Sequence, residues 1–132
     1  MSLSEPITDD PCRLQRRFLI SPTVAHMLVR LESRAQQEFS AEGLRWPGLF
    51  VISGHRSVAI RSAFNPAEPA AEESYHKRCP ALAADLRVGD LPASATPFAT
   101  WAFLGGIWKW LGGRWGGDFT PPDPNHFDFP SL

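Results

Sequence analysis

The sequence predicts an α+β protein, in which a small, mostly antiparallel sheet is flanked by helices. Two stretches carry apolar residues at helical spacing, and each begins with a hydroxyl side chain followed by proline, a favourable helix start. Short apolar runs bounded by glycine and proline lie between and after them, as is typical of strands. A chain of 132 residues with 43% hydrophobic residues can bury one core, so residues 1–132 are expected to form a single domain.

The first third of the chain predicts one long helix. Residues 1–20 are expected to be an irregular lead-in with a short basic and apolar piece at 13–20. Ser21-Pro22 then begins a helix from about 22 to 43, which Gly43 ends. Pro47-Gly48 turns the chain into a strand near 49–56.

The remaining elements follow from similar signals. Residues 58–75 are loop by composition, and a strand is predicted over 82–88. Thr96-Pro97 begins a helix over 97–111, with Trp101 and Trp108 as core side chains and a bend expected at Gly105-Gly106. Strands near 114–119 and 125–129 complete the sheet.

Charge and composition exclude several classes of partner. The net charge is −1, so no broad basic surface is available for nucleic acid or an anionic membrane. No apolar run approaches the roughly 20 residues of a membrane span. The N-terminus is polar and lacks a secretory signal, so we expect cytoplasmic synthesis. Cys12 and Cys79 are expected to be free thiols, although one bridge between them stays open.

Two acid and imidazole pairs have the residue types of a zinc site. His76 and Asp85 lie around the start of one predicted strand, and Asp123 and His126 lie at another. A catalytic zinc ion needs three protein ligands and an open position for water, which the metal acidifies and a nearby carboxylate deprotonates. These four groups would suffice for such a site, with His76, Asp85 and His126 as ligands and Asp123 as the base, although their spacing alone does not establish it.

These residues are part of a longer pattern. It reads Ser74-x-His76, Ala83-x-Asp85, Trp115-Gly-Gly-Asp118 and Asp123-x-x-His126-Phe127-Asp128, with Ser53-Gly54-His55-Arg56-Ser57 upstream. The pattern runs from about residue 49 to 129 and resembles the zinc D-alanyl-D-alanine carboxypeptidase and L-alanyl-D-glutamate endopeptidase family. That family includes phage endolysins and shares its fold with the hedgehog signalling domain.

The resemblance implies both a fold and an activity. The fold would be of the hedgehog/DD-peptidase type, with Zn²⁺ on His76, Asp85 and His126 and with Asp123 as general base and acid. Arg56 would hold a substrate carboxylate or the tetrahedral oxyanion. The reaction implied is hydrolysis of an amide in the peptidoglycan stem peptide. The enzyme would act on the cell wall after lysis, release or delivery in a particle, as a phage endolysin does.

Departures from the family pattern keep other hypotheses open. Eight residues separate His76 from Asp85, where the family has six, and Cys79 is a softer alternative ligand to Asp85. The altered spacing supports a second hypothesis, a structural or interaction module of a phage tail or similar particle with weak or no catalysis. A third is a purely structural zinc site with four protein ligands, including Cys79. Asp118 and Asp128 are expected to have supporting or structural roles.

Overall fold

The structure, a computed structural model, describes residues 4–8, 10–54 and 82–129. These ranges contain three α-helices and a five-stranded antiparallel sheet with strand order β1-β2-β3-β5-β4, which confirms the α+β class. In chain order the elements are β1 (Glu5–Pro6), α1 (Pro11–Phe18), α2 (Pro22–Ala41), β2 (Leu49–Ser53), β3 (Ala83–Val88), α3 (Phe98–Trp110), β4 (Arg114–Trp115) and β5 (His126–Asp128).

The two predicted helices are present with nearly the predicted bounds. The Ser21 hydroxyl accepts a hydrogen bond from the Val24 amide at 3.1 Å, as expected of a cap at the start of α2. Thr96 does not cap α3, because its hydroxyl instead donates to the Pro92 carbonyl. Across the described part of the chain, no helix combines the length and apolar character that crossing a membrane requires.

The prediction of an irregular lead-in over residues 1–20 is wrong. The segment contributes the edge strand β1, which pairs with β2, and the helix α1. Asp10 caps α1 by accepting from the amides of Cys12 and Arg13, and Pro11 occupies the first turn. Leu14 and Phe18 lie four residues apart on one face of α1 and are buried, so this short amphipathic helix belongs to the core.

The sheet has one apolar face and one polar face near its centre. Ala84, Leu86 and Phe127 alternate with the site residues along β3 and β5 and are fully buried. The Phe127 ring packs edge-on against Trp108 of α3, at 5.7 Å between ring centroids. Trp108 and Trp101 are core side chains, as predicted. The helix side of the sheet is thus filled by apolar groups, and the opposite side carries the polar side chains of β3 and β5.

A half-buried carboxylate connects α2 to the start of β2. Glu32 accepts hydrogen bonds from the Leu49 amide at 2.7 Å and from the Trp46 indole. Burial raises the pKa of Glu32 above its ordinary value, and these two hydrogen bonds offset only part of that effect. Glu32 therefore fixes the approach to β2, the strand that leads to the candidate site.

Candidate metal site

The register of three neighbouring strands places polar side chains side by side. Asp85 of β3 lies opposite Ser53 of β2 on one side and opposite His126 of β5 on the other. An irregularity between Val51 and Ser53 shifts the β2 register, so that Ser53 faces Asp85. The Ser53 hydroxyl donates to Asp85 Oδ2 at 3.1 Å, which orients that carboxylate.

Asp123 joins Asp85 and His126 to form a compact donor cluster. One potential ligand atom from each residue lies within 4.8 Å of the others. Asp85 and His126 are buried, whereas Asp123 is half-buried. The cluster therefore unites a residue of β3, a residue of β5 and the loop between β4 and β5.

Gly116 allows the Asp123 loop to pack against β4. Its carbonyl accepts from the Asp123 amide at 2.8 Å, and the Asp123 carbonyl accepts from the His126 amide at 3.1 Å. A Cβ atom at Gly116 would lie 2.2 Å from the Asp123 carbonyl oxygen and 2.8 Å from the His126 Cβ. This contact explains the glycine after Trp115, because a larger residue would displace both site residues.

Two further side chains hold the same loop. The Trp115 indole donates to the Pro124 carbonyl at 2.7 Å, and Trp115 is itself buried. Asn125 bonds to the Leu86 backbone twice, through its carbonyl at 2.9 Å and its side-chain amide at 3.2 Å. The position of Asp123 is therefore fixed by β3 and β4 together, since its neighbours are attached to both strands.

His126 is held through its second ring nitrogen. Its Nε2 lies 2.7 Å from Oδ2 of Asp128, which shares its face of β5. Asp128 is fully buried and accepts two bonds from Arg114 on β4, from Nε at 3.0 Å and from Nη2 at 2.7 Å. The Phe119 ring lies against the imidazole at 5.3 Å between centroids. The imidazole is thus held by a hydrogen bond to Asp128 and by packing against Phe119.

The electrostatics of the cluster favour a positive charge at His126. Burial opposes the imidazolium, but the contacts with Asp128 and Asp85 outweigh it and raise the pKa of His126 to about 10. Burial also opposes the charge of Asp128, yet the bonds from His126 and Arg114 lower the pKa of that carboxyl. A group of carboxylates that stabilises a proton on an imidazole also stabilises a metal cation that replaces the proton.

The donor set consists of ligand types found in metal sites. Two carboxylates and an imidazole are ligand types that Zn²⁺ uses, with bonds of about 2.0–2.2 Å that place tetrahedral ligand atoms about 3.4 Å apart. His126 Nδ1 and Asp85 Oδ1 are 3.6 Å apart, close to that spacing. The described residues can therefore hold a metal ion between Asp85, His126 and Asp123.

Three of the five predicted site residues are brought together by the fold. They are Asp85, Asp123 and His126. The predicted ligand His76 and the predicted substrate-binding Arg56 lie outside the described residues, as do Ser74, His55 and the alternative ligand Cys79. The roles of these residues stay predictions.

The sequence did not predict the contacts that Ser53 and Arg114 make at the site. Ser53 belongs to the motif before Arg56, but its bond to Asp85 depends on the shifted β2 register. Arg114 contacts Asp128 because β4 pairs with β5 in a register that places the two residues opposite each other. Asp118 is exposed and pairs with Lys109 at 3.1 Å.

A cavity adjoins the Asp123 loop. Its volume is about 380 Å³, and Phe98, Trp101, Pro124 and Asn125 contribute to its lining. Pro124 and Asn125 follow Asp123 directly in the chain. Because most of this lining is apolar, the cavity can accept a small apolar group.

Comparison of the chain with protein-family models finds no match, and comparison with curated protein sequences finds none either.

Proposed function

We propose that this chain is a zinc-dependent peptidase that hydrolyses an amide bond in the peptidoglycan stem peptide. The observation that carries the proposal is the convergence of Asp85, Asp123 and His126, whose ligand atoms lie within 4.8 Å of one another. These residues are separated by up to 41 positions in the sequence, and the sheet register and the Asp123 loop bring them together.

In this proposal His126 and Asp85 bind the metal together with His76. His126 would ligate through Nδ1, because its Nε2 is already engaged by Asp128. Asp85 would ligate through Oδ1, because its Oδ2 accepts from Ser53. These contacts place His126 Nδ1 and Asp85 Oδ1 opposite each other, 3.6 Å apart.

Asp123 would act as the general base and acid. When bound, zinc would acidify a water molecule and polarise the scissile carbonyl. Asp123 is half-buried and sits on a loop with two fixed ends, so its carboxylate can take a proton and return it to the leaving amine with little rearrangement. Arg56 would hold the substrate carboxylate or the oxyanion through its planar fork of donors.

The choice of peptidoglycan as substrate rests on the sequence resemblance. The motifs around His76, Asp85 and His126 are similar to those of the zinc D-alanyl-D-alanine carboxypeptidase and L-alanyl-D-glutamate endopeptidase family. The resemblance also supports assigning the sheet and helices to the hedgehog/DD-peptidase fold. It further supports a role as a phage-type endolysin that reaches the wall after lysis, release or delivery in a particle.

The test is turnover of purified peptidoglycan, measured as new amino termini with and without a zinc chelator. We expect activity that the chelator removes and Zn²⁺ restores. Asp123→Asn should retain zinc but lose activity by about 10²- to 10⁴-fold, as expected for loss of an acid–base group. Asp118→Asn is the matched control, because Asp118 is exposed and pairs with Lys109.

Each alternative has its own outcome. Full activity in Asp123→Asn would remove the proposed base, and loss of zinc from that variant would make Asp123 a ligand. Zinc uptake without turnover of any peptidoglycan would favour a structural zinc site. If the protein neither takes up zinc nor turns over peptidoglycan, the result would favour the structural or interaction module of a phage-like particle. The eight-residue spacing between His76 and Asp85 also supports that alternative.

A further inference from the structure

We infer that Arg114 and Asp128 position the proposed metal ligand His126. They hold its imidazole with Nε2 protonated and Nδ1 directed at Asp85. The inference rests on the proposed metal site and adds two residues to it. Asp128 contacts Nε2 of His126, and Arg114 donates to both oxygens of Asp128. Both residues act on the metal site through the imidazole of His126.

Asp128 determines that Nε2 of His126 carries a hydrogen. Asp128 is fully buried, and the Arg114 guanidinium donates to both of its oxygens. A carboxylate in such a bidentate pair is an acceptor only. The 2.7 Å contact between His126 Nε2 and Asp128 Oδ2 is therefore made by an N–H on Nε2.

The two ring nitrogens of His126 have different roles. With the Nε2 hydrogen held by Asp128, Nδ1 is the nitrogen whose proton a metal can displace, which provides the lone pair for ligation. Nδ1 is also the atom that faces Asp85 Oδ1, at 3.6 Å. The pair thus selects the tautomer and the ring orientation that the cluster needs, as carboxylates behind metal-binding histidines do.

The Arg114–Asp128 pair is itself held in place by its neighbours. Arg114 lies directly opposite Asp128 in the β4–β5 register, and its guanidinium carbon stands 4.9 Å from the centroid of the Phe119 ring. Phe119 in turn packs against the His126 imidazole. Arg114, Asp128 and Phe119 therefore restrain the imidazole together, by hydrogen bonding and by packing.

The experiment measures Zn²⁺ affinity by competition with a chromophoric chelator at one fixed pH. The main variant is Asp128→Asn, which keeps the shape of the side chain. An asparagine can either accept from Nε2 or donate to it, so the choice of tautomer is lost. We expect zinc affinity to fall by about 10- to 100-fold. Asp118→Asn makes the same chemical change at an exposed position and should leave affinity unchanged.

A second variant protects the test against misfolding of the first. Arg114 is about half-exposed, with 45% of its side-chain surface accessible, so Arg114→Gln should fold. Its expected affinity loss is about three- to tenfold, because Asp128 remains but is no longer fixed. Arg114→Lys, which restores the charge without the bidentate fork, should recover part of the loss.

Ring nitrogen spectra of the zinc-loaded protein add a readout that a purely structural role would not move. We expect Nε2 of His126 to be protonated in the wild type and a mixture of ring states in Asp128→Asn. Wild-type zinc affinity in folded Asp128→Asn and Arg114→Gln would overturn the inference. A wild-type protein that takes up no Zn²⁺ would instead overturn the metal site on which the inference rests.

Discussion

Replacement of Gly116 by alanine should lower both the stability of the protein and its proposed peptidase activity. Gly116 begins the short turn after β4, and its carbonyl accepts from the amide of Asp123. An alanine Cβ would meet the Asp123 carbonyl oxygen at 2.2 Å and the His126 Cβ at 2.8 Å. Both obstacles belong to the backbone or are attached to it, so neither can rotate away.

The size of the effect follows from the overlap. The 2.2 Å approach is about 1.2 Å short of 3.4 Å, where ordinary van der Waals contact begins. The loop must move by roughly 1 Å to relieve it, and overpacking of this kind costs about 1–3 kcal/mol of unfolding free energy. A 1 Å displacement of a catalytic group lowers activity by about 10²-fold.

Urea denaturation and peptidoglycan turnover measure the two effects. Gly106→Ala is the control, because a Cβ there meets nothing within 4 Å and the position is an exposed site in α3. That control should gain about 0.5–1 kcal/mol from helix propensity and keep full activity. If Gly116→Ala unfolds at the same urea concentration as the wild type and turns over substrate normally, the close packing described for the Asp123 loop is incorrect.

Three further predictions concern the scaffold. Gly105→Ala should lower the unfolding free energy by about 1–3 kcal/mol in urea denaturation, because its Cβ would lie 2.2 Å from the Trp115 ring; stability equal to that of Gly106→Ala would contradict this packing. Asp10→Ala should cost about 1 kcal/mol in the same assay through loss of the α1 cap, and an unchanged midpoint would show that the cap contributes nothing. The raised pKa of Glu32 means that the folded protein holds this proton more tightly than the unfolded chain, so stability should be fullest below pH 4.5 and fall as pH rises through the raised pKa. Denaturation series across pH should show that fall in the wild type and not in Glu32→Gln, and identical pH profiles would refute it.

The sequence predicted the helices that carry their own local signals. Ser21 and Pro22 specify the start of α2, and the apolar stripe specifies its buried face. Asp10-Pro11 is the same type of helix start. However, α1 is only eight residues long, and its two buried side chains give too weak a periodicity to predict a helix. The edge strand β1 is two residues long and is defined only by its pairing with β2, which no local pattern reveals.

Some residues of the candidate site could be predicted from the sequence, and others could not. The sequence predicted Asp85, Asp123 and His126 as members of one cluster from their residue types and spacing, and the fold brings their side chains together. Asp128 was expected to support the site, and it contacts His126 directly. Ser53 and Arg114 could not be predicted, since their contacts depend on which residues face each other across strands. Register is a tertiary property that the printed sequence leaves open.

Zinc binding tests the central claim most directly. The metal-free protein should take up about one Zn²⁺ per chain in equilibrium dialysis with elemental analysis, and His126→Gln should take up far less. His26→Gln is the matched control, because His26 is exposed on α2 and contacts only the Pro22 carbonyl among the hydrogen-bonding groups described. Zinc uptake that is lost in His126→Gln and kept in His26→Gln is the predicted result. No zinc uptake by the wild type, or equal uptake by His126→Gln, would contradict the account.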